Sequence, residues 1–375
     1  MKINEFRIER YFAEYEFNTR YTLCSSDCES LSVNELLDLA DPRCQDLWNN
    51  LRLGYTETRG HQLLREEVAN LYSGISPSEI CILSPEEGIF ITLNVLLDSG
   101  DHIIVTDPGY QSLAEIPVAL GCEVTRWPVH LVENRWHLDI SFLQQAIRKN
   151  TRLLIINFPH NPTGFIPAEN DFLQIIELAG KNSIYVFSDE MYRYLELSGE
   201  PRLSSVADLY DKGITLSGLS KSFGLPGLRI GWIASRDRRL LDTIESFKDY
   251  TTICNSALSE IFSIIALRNG ERILDSNLDL IRENLSLARE LFGKYPEVLT
   301  WIEPRGSSVA FPGLNENIPV DEFCKKLIMQ KSVLLMPAPL FSYNGNHFRM
   351  GFGRKSFREA LTQFESFLGE NYSGL

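Results

Sequence analysis

SGLSKSFGLPGLRIGW, residues 217–232, follows a short apolar segment at Ile214–Ser217 and runs into a second one at Ile230–Ala234. Both segments have the length and composition of buried strands. Lys221 lies in the loop between them, among glycine, serine and apolar residues. A loop lysine is usually a solvated charge, but burial at the end of a strand lowers the pKa of the amine and makes it nucleophilic. The stretch therefore predicts two strands joined by a loop that carries a candidate reactive amine.

Further apolar segments of the same kind precede this stretch, and helical segments lie between several of them. The predicted strands are Ile80–Leu83, His102–Thr106, Arg152–Phe158 and Ile184–Ser188, and the predicted helices include Ile89–Leu97, Ile140–Arg148 and Asp171–Leu178. Asp139 suits the N-cap of the helix that follows it. Strands that alternate with helices are typical of a mostly parallel sheet covered on both faces. The region from about residue 80 to residue 235 is therefore predicted to be α/β.

The chain length favours two domains, because 375 residues exceed what one hydrophobic core usually organises. After about residue 255 the pattern changes to a long helical region, short strands and a last helix. These segments are Leu258–Phe292, then Ser308–Phe311, Val333–Met336 and Phe348–Gly351, then Lys355–Leu368. We expect a large domain at residues 45–255 and a smaller α+β domain at residues 1–44 and 256–375.

Composition excludes several classes of protein. The formal net charge is −14, from 36 basic and 50 acidic residues, which gives no electrostatic basis for binding nucleic acid or an anionic membrane. No apolar run approaches the roughly 18 residues of a membrane span, and the N-terminus has no apolar signal core. The seven scattered cysteines favour reduced thiols in a cytoplasm. Cys24 and Cys28 have no matching pair of metal ligands, so no metal site is expected.

Two other segments carry polar side chains at the ends of predicted strands. NFPHNPTG, residues 157–164, contains Asn161, and SDEMYRYL, residues 188–195, contains Asp189 and Tyr192. Alone, Asp189 would more often be a helix cap, and Asn161-Pro162 would be a turn. Because open α/β sheets bind ligands beyond the carboxyl ends of their strands, these loops and the Lys221 loop should meet in one crevice.

Together these residues suit an aldehyde cofactor. Such a cofactor needs an amine to hold it, an acid to keep its pyridine nitrogen protonated, donors for the ring oxygen and a cation for its phosphate. Lys221 supplies the amine, Asp189 the acid, Asn161 and Tyr192 the donors, and Arg229 the cation.

In their residues and in their order along the chain, the three segments resemble the signature segments of the fold-type I, class I/II pyridoxal-phosphate aminotransferases. The resemblance extends from about residue 54 to residue 353. It implies an aspartate-aminotransferase-like fold, in which a large α/β domain with a mostly parallel, seven-stranded type of sheet between helices is joined to a smaller α+β domain. It implies that pyridoxal 5′-phosphate is bound to Lys221 as an aldimine and that Lys221 later moves protons.

The resemblance also implies roles for the other site residues. Asp189 pairs with the pyridinium nitrogen, Asn161 and Tyr192 hydrogen-bond the ring hydroxyl, and Arg229 and Ser220 contact the phosphate. Asn161-Pro162 is expected to be a cis peptide.

Three more motifs match family positions. In DPGY, Tyr110 matches the aromatic that stacks on the cofactor ring, although it also suits a core position at a helix start. In HFRMGFGR, Arg349 matches the arginine that binds the substrate α-carboxylate, for which a guanidinium fork is suited. In GYTETRG, Tyr55 matches a tyrosine that reaches the phosphate of the neighbouring subunit, which implies a homodimer.

The sequence departs from the family at the phosphate end of the site. LSPEEGIF, residues 83–90, stands where the family has a glycine-rich turn, and Pro85 has no N–H to donate. We expect the backbone amides of Glu86 and Glu87 to face the phosphate while their side chains point away. Gly218 stands where a serine or threonine commonly contacts the phosphate.

The resemblance therefore implies an aminotransferase that moves an amino group between an L-amino acid and a 2-oxo acid. A carbon–sulfur lyase, a decarboxylase or a cyclising biosynthetic enzyme on the same scaffold would use the same lysine and stays open. A non-catalytic cofactor-binding regulator is a further alternative, but such proteins usually carry a DNA-binding domain, for which residues before 54 leave no room.

Overall fold

The computed structural model describes residues 2–197 and 199–372. Within these ranges, no helix combines the length and apolar composition that crossing a membrane requires. All seven cysteines have free thiols.

The elements alternate as the sequence predicts. The strands are β1 (Tyr21–Thr22), β2 (Ile80–Leu83), β3 (His102–Asp107), β4 (Glu123–Val132), β5 (Arg135–Leu138), β6 (Thr151–Asn157), β7 (Tyr185–Asp189), β8 (Gly213–Gly218), β9 (Gly231–Ala234), β10 (Leu299–Thr300), β11 (Val309–Ala310), β12 (Gly313–Leu314), β13 (Val333–Leu334), β14 (Met336–Pro337) and β15 (Phe348–Gly351). The α-helices are α1 (Arg7–Tyr15), α2 (Val33–Leu37), α3 (Pro42–Asn49), α4 (Gln62–Ala69), α5 (Pro85–Leu96), α6 (Ser112–Leu120), α7 (Ile140–Ala146), α8 (Glu169–Lys181), α9 (Val206–Leu209), α10 (Arg238–Lys248), α11 (Ala257–Arg268), α12 (Gly270–Lys294), α13 (Val320–Lys331) and α14 (Phe357–Tyr372).

One large sheet organises the site. In the described residues it has eight strands in the order β2-β9-β8-β7-β6-β3-β4-β5. The central strands β8, β7, β6, β3 and β4 run parallel, and β9, β2 and β5 are antiparallel to their neighbours. The central strands are buried on both faces, which explains why they read as continuous apolar runs. The mostly parallel sheet of the α/β prediction is confirmed.

The hairpin β4–β5 is the part of the sheet that the sequence pattern did not indicate. Its strands mix buried and exposed positions at the sheet edge, so they lack an apolar run. Glu133 and Asn134 join them with φ values of 48° and 60°, the left-handed conformation that two-residue hairpin turns require. The hairpin extends the expected seven-stranded type of sheet by one strand.

The chain ends meet in the smaller α+β part. There β1 pairs with β13, with Tyr21 opposite Val333, and α12, α13 and α14 pack around an apolar cluster. On the other side, α11 packs against α3 and α4. Helices on both sides of residue 255 thus pack against one another. The expected domain boundaries at 44/45 and 255/256 stay a prediction.

Helix α5 lies against the large sheet and begins at the site. Pro85 occupies its first turn, where backbone N–H groups have no partner within the helix, so the missing N–H of proline costs no helical hydrogen bond. Gly88 allows the helix to approach the sheet, since a Cβ there would lie 2.6 Å from Leu83 Cδ1 and 3.0 Å from Leu216 Cδ1. The N-terminus of α5 is thereby held at the carboxyl end of the strands.

Candidate active site

A cleft lies at the carboxyl ends of the central strands. Its volume is about 770 Å³, which includes the space at its mouth that is open to solvent. Most of the side chains that the sequence indicated line this one cleft: Glu86, Tyr110, Asn161, Asp189, Tyr192, Ser220, Lys221, Arg229 and Arg349. The convergence follows from the parallel strands β6, β7 and β8, whose ends lie side by side. Glu87 and Tyr55 are not part of this lining.

Lys221 lies in the loop after β8, and its ammonium points into the cleft. Its Nζ donates a hydrogen bond to Ser26 Oγ at 2.8 Å. Burial lowers the pKa of Lys221, with Asp27 opposing that shift and Arg349 adding to it. The amine is therefore easier to deprotonate than a surface lysine, which is what a nucleophile or proton-transfer group needs. The sequence did not single out Ser26, which lies 195 residues away along the chain.

Asp189 ends β7 and is buried, with 6% of its surface exposed. Its Oδ1 accepts a hydrogen bond from the Met191 backbone N–H at 3.1 Å. Burial raises the pKa of Asp189 to about 6, and Lys221 acts against that shift. A cation placed beside this carboxylate would lower the pKa again, because the two charges would stabilise each other.

Asn161 and Arg349 contact each other in the same cleft. The peptide bond between Asn161 and Pro162 is cis, as expected. Arg349 is 2% exposed, and its Nη1 donates to Asn161 Oδ1 at 3.2 Å. Its Nε and Nη2 donate to the Cys24 carbonyl at 3.2 and 3.0 Å. Arg349 forms no ion pair with any described carboxylate, so its positive charge lies in the cleft without a protein counter-ion.

Arg229 and the first turn of α5 border another end of the cleft. Arg229 has a left-handed backbone, with φ of 54°, and its Nη1 donates to the Pro226 carbonyl at 3.0 Å. The side chains of the two glutamates differ. Glu87 is turned toward Thr251 and Thr252, whose hydroxyls donate to its Oε1 at 2.5 and 2.8 Å. Glu86 is itself one of the residues that line the cleft, and burial raises the pKa of its carboxyl to about 7.

Pro85 and Gly218 depart from the family pattern together, and packing explains why. A Cβ on Gly218 would lie 2.9 Å from Gly231 Cα and 3.2 Å from Pro85 Cγ. The proline ring and the neighbouring strand therefore fill the space that a side chain at position 218 would need. This site has no room for the hydroxyl that the family commonly carries there.

Tyr55 lies on the surface, and 89% of it is exposed. Its loop is held at its base, where Thr56 Oγ1 donates to the Asn255 carbonyl at 3.1 Å and the buried Lys248 donates to the Thr58 carbonyl at 2.6 Å. Tyr110, in contrast, lines the cleft, and the Phe6 ring packs 5.2 Å from it.

Helix α1 contributes side chains that sequence reasoning missed. Ile8, Glu9 and Phe12 line the cleft. Two hydrogen bonds hold the helix. The Arg7 backbone N–H donates to Oε1 of Gln111, the residue before α6, at 3.0 Å, and Arg7 Nη1 donates to the Pro339 carbonyl of the smaller part at 3.1 Å. Local sequence gives no signal for these contacts, since they join segments more than a hundred residues apart.

This geometry has counterparts in known proteins. The sequence profile of aminotransferase class I and II matches residues 23–362, which is nearly the whole chain. The chain belongs to this family.

Relatives of this aminotransferase match over almost their whole length. Capreomycidine synthase from Streptomyces vinaceus is 26% identical over 373 residues, covering 98% of this chain and 94% of that protein. The structure of a pyridoxal-phosphate-dependent aminotransferase from Streptococcus suis is 30% identical, with a TM-score of 0.92 and 99% of both chains covered. The structure of the pyridoxal-phosphate-dependent cyclase OrfR is 26% identical, with a TM-score of 0.90, and covers 99% of this chain and 98% of that one.

Pyridoxal 5′-phosphate is the cofactor of this aminotransferase, and the cleft has unmet hydrogen-bonding groups that fit it. The hydroxyls of Tyr192 and Ser220 are buried, and neither makes a hydrogen bond of normal geometry with a described residue. Buried hydroxyls without a partner are rare, because desolvation without a compensating bond is unfavourable. Both line the cleft beside Lys221, as the ring oxygen and the phosphate of the cofactor require.

Proposed function

We propose that this aminotransferase moves an amino group between an L-amino acid and a 2-oxo acid, and that Lys221 both binds the cofactor and transfers the proton. The observation that carries the proposal is the meeting of Lys221, Asp189 and Arg349 in one cleft with two unpartnered hydroxyls. Bound there, pyridoxal phosphate supplies an aldehyde that condenses with amines and a protonated ring that accepts an electron pair.

Each residue of the chain has a separate task in this proposal. Lys221 Nζ, whose pKa burial lowers, removes the proton from the substrate α-carbon and holds it for return. Asp189 keeps the ring nitrogen protonated through its buried carboxylate. Tyr192 and the Asn161 amide hold the ring oxygen. Tyr110 covers the ring face.

The two ends of the cleft bind the two anionic groups. Arg229, the Ser220 hydroxyl and the first-turn amides of Glu86 and Glu87 hold the phosphate. Arg349 holds the α-carboxylate of the substrate, since its charge lacks a counter-ion and it has N–H groups to spare.

The test of the lysine is chemical labelling. Borohydride reduction of the holoenzyme followed by peptide mapping should place the cofactor on Lys221. Lys248 is the internal control, because burial lowers its pKa as well but it lies outside the cleft lining. Label on Lys248 or on any other lysine would contradict the assignment.

The test of the reaction is product analysis with a panel of amino donors. Amino transfer should give a 2-oxo acid and leave the cofactor as pyridoxamine phosphate. A cyclising enzyme is the second candidate, favoured by the similarity to capreomycidine synthase and to the cyclase OrfR. It would leave the cofactor at the aldehyde level, bound again to Lys221, with every donor, and it would release a product that keeps its amino group. Release of pyruvate with ammonia would instead indicate β-elimination.

The working unit in this proposal is a homodimer in which Tyr55 of each chain reaches the phosphate of the other. The support is the high exposure of Tyr55 and the small number of donors at the phosphate end, where Pro85 has no N–H and Gly218 has no hydroxyl. Light scattering should give about twice the 42.8 kDa of the chain. Tyr55→Phe should weaken cofactor binding by about 1.5–3 kcal/mol, as for a charge-assisted hydrogen bond. Tyr250→Phe, equally exposed at 90%, is the matched control. An active monomer, or normal affinity in Tyr55→Phe, would refute the shared site.

A further inference from the structure

The charges that line the cleft are not all used by the proposed reaction. The lining carries the cations Lys221, Arg229 and Arg349 and the carboxylates Glu9, Glu86 and Asp189. The cofactor and the substrate α-carboxylate account for the cations and for Asp189. Two carboxylates are then left over. Glu86 belongs to the first turn of α5, where its Oε2 accepts from Ser112 Oγ at 3.4 Å. Glu9 belongs to α1.

Glu9 is one of three neighbouring side chains on the face of α1 that carries the cleft-lining residues Glu9 and Phe12. Glu9, Phe12 and Glu16 follow one another at intervals of three and four residues, which places them on one helical face. Phe12 lines the cleft with Glu9. Glu16, at the end of the helix, is half-buried, and burial raises the pKa of its carboxyl, with Asp27 and Glu9 adding to the shift.

The protein does not pair these carboxylates directly, although the charges of Arg354 and Lys221 act against the raised pKa of Glu16. Neither Glu9 nor Glu16 forms a side-chain hydrogen bond or an ion pair with another described residue. The nearby Arg354 is paired with Asp27, with 2.7 Å between Nη2 and Oδ2. One carboxylate, Glu9, therefore lines the cleft beside Phe12, and a second, Glu16, follows on the same helical face, and neither has a direct ion-pair partner among the described residues.

The same cleft shows independently that it is built for a ligand. The Tyr192 hydroxyl is on a residue that is 2% exposed, and the Ser220 hydroxyl is on a residue that is 5% exposed. Neither makes a hydrogen bond of normal geometry with a described residue. The positive charge of Arg349 lies in the same cleft as Glu9 and Phe12 and suits the α-carboxylate of an amino acid. An amino acid held there by its carboxylate has its side chain free to extend toward the helix.

We propose that the face Glu9–Phe12–Glu16 selects an amino-acid substrate whose side chain carries a positive charge, an ammonium or a guanidinium group. The carboxylates attract the charge, and the Phe12 ring offers a π face on which a cation is stabilised. A neutral or acidic side chain would leave the two carboxylates without a counter-charge, and an acidic one would be repelled. The inference rests on the proposed function, because it takes Arg349 as the site of the α-carboxylate.

The test compares ligands that differ only in charge. Dissociation constants for the holoenzyme are measured by calorimetry and by the cofactor absorbance for L-arginine against L-citrulline and for L-lysine against L-norleucine. Each cationic ligand should bind at least about tenfold more tightly than its neutral partner, as expected for one charge-assisted contact. Glu9→Gln, Glu16→Gln or the double variant should remove most of that advantage and leave the neutral ligands within about twofold.

Glu14→Gln is the matched control, since it is the same substitution at an exposed position of α1 outside the cleft lining. It should keep the full advantage of the cationic ligands. Equal affinity for charged and neutral partners in the parent enzyme, or an advantage that survives in the double variant, would overturn the proposal. Because binding is measured apart from turnover, tight charge-dependent binding without amino transfer would refute only the proposed reaction. Amino transfer without charge-dependent binding would refute only the selection by α1.

Discussion

Replacing Arg349 by lysine is the sharpest test of substrate binding, because it keeps the charge and removes the planar fork. A guanidinium has five N–H groups. In this structure three of them are used, by the Cys24 carbonyl and by Asn161 Oδ1. Two N–H groups remain, one on Nη1 and one on Nη2. Together they match the two oxygens of a carboxylate.

The expected loss follows from that count. Each charge-assisted hydrogen bond contributes about 1.5–3 kcal/mol. A lysine at this position keeps a point charge but cannot make two parallel bonds, so it should lose at least one of them. About 1.4 kcal/mol corresponds to a factor of ten, and the apparent dissociation constant for the amino acid should therefore rise by about tenfold to a hundredfold.

The assay is titration of the holoenzyme with an amino acid, read by the cofactor absorbance. The absorbance without substrate should match the parent enzyme, which separates a change in binding from a failure to fold. Arg358→Lys is the matched control, because Arg358 is an exposed arginine paired with Glu283 at 2.9 Å. An affinity for the amino acid within about twofold of the parent in Arg349→Lys would refute the assignment.

Three further changes test the surroundings of the site. Asp189→Asn should remove most amino transfer. In the cofactor-free parent protein, the free energy of unfolding should fall as pH rises from about 4 to about 6, because folded Asp189 keeps its proton up to a pKa of about 6 whereas the unfolded chain releases it at about 3.9. The variant should not show this fall, and an unchanged pH profile of urea unfolding would contradict the reasoning. Lys248→Met should lower the free energy of unfolding by about 2–4 kcal/mol, because Lys248 is fully buried and its Nζ donates three hydrogen bonds, to two carbonyls and a side-chain amide. A change below about 0.5 kcal/mol in denaturant unfolding would show that these hydrogen bonds are not needed for stability. Gly218→Ser should lower stability by about 1–3 kcal/mol through overpacking against the neighbouring strand, without strengthening cofactor binding; tighter binding of the cofactor would mean that the added hydroxyl reaches the phosphate after all.

The central sheet was readable from the sequence because its strands are buried on both faces. Short apolar runs separated by helical periodicity identified β2, β3, β6, β7, β8 and β9 to within about two residues at their ends. The hairpin β4–β5 was not recognised, since its residues alternate between core and solvent at the edge of the sheet. The expectation that polar residues at strand ends converge follows from parallel topology alone, and the cleft agrees with it.

The phosphate end was only partly readable. The sequence showed that Pro85 and Gly218 depart from the family, but it did not show that the two departures are one packing arrangement. It also suggested that both glutamate side chains point away from the cleft. Glu87 does so because Thr251 and Thr252 bind it, whereas Glu86 is one of the residues that line the cleft.

The sequence by itself determined which residues are candidates for the chemistry, because Lys221, Asp189 and Asn161 each lie at or just after the end of a strand whose apolar pattern is local. Only the tertiary structure decided what surrounds them. Ser26 meets Lys221 across 195 residues of chain, and Arg349 meets Asn161 across 188. Such contacts depend on how the chain ends pack onto the sheet. The position of Glu9 at the cleft depends on the same packing. The residue pattern of helix α1 indicates that the helix is amphipathic, but it does not indicate which surface of the protein the helix covers.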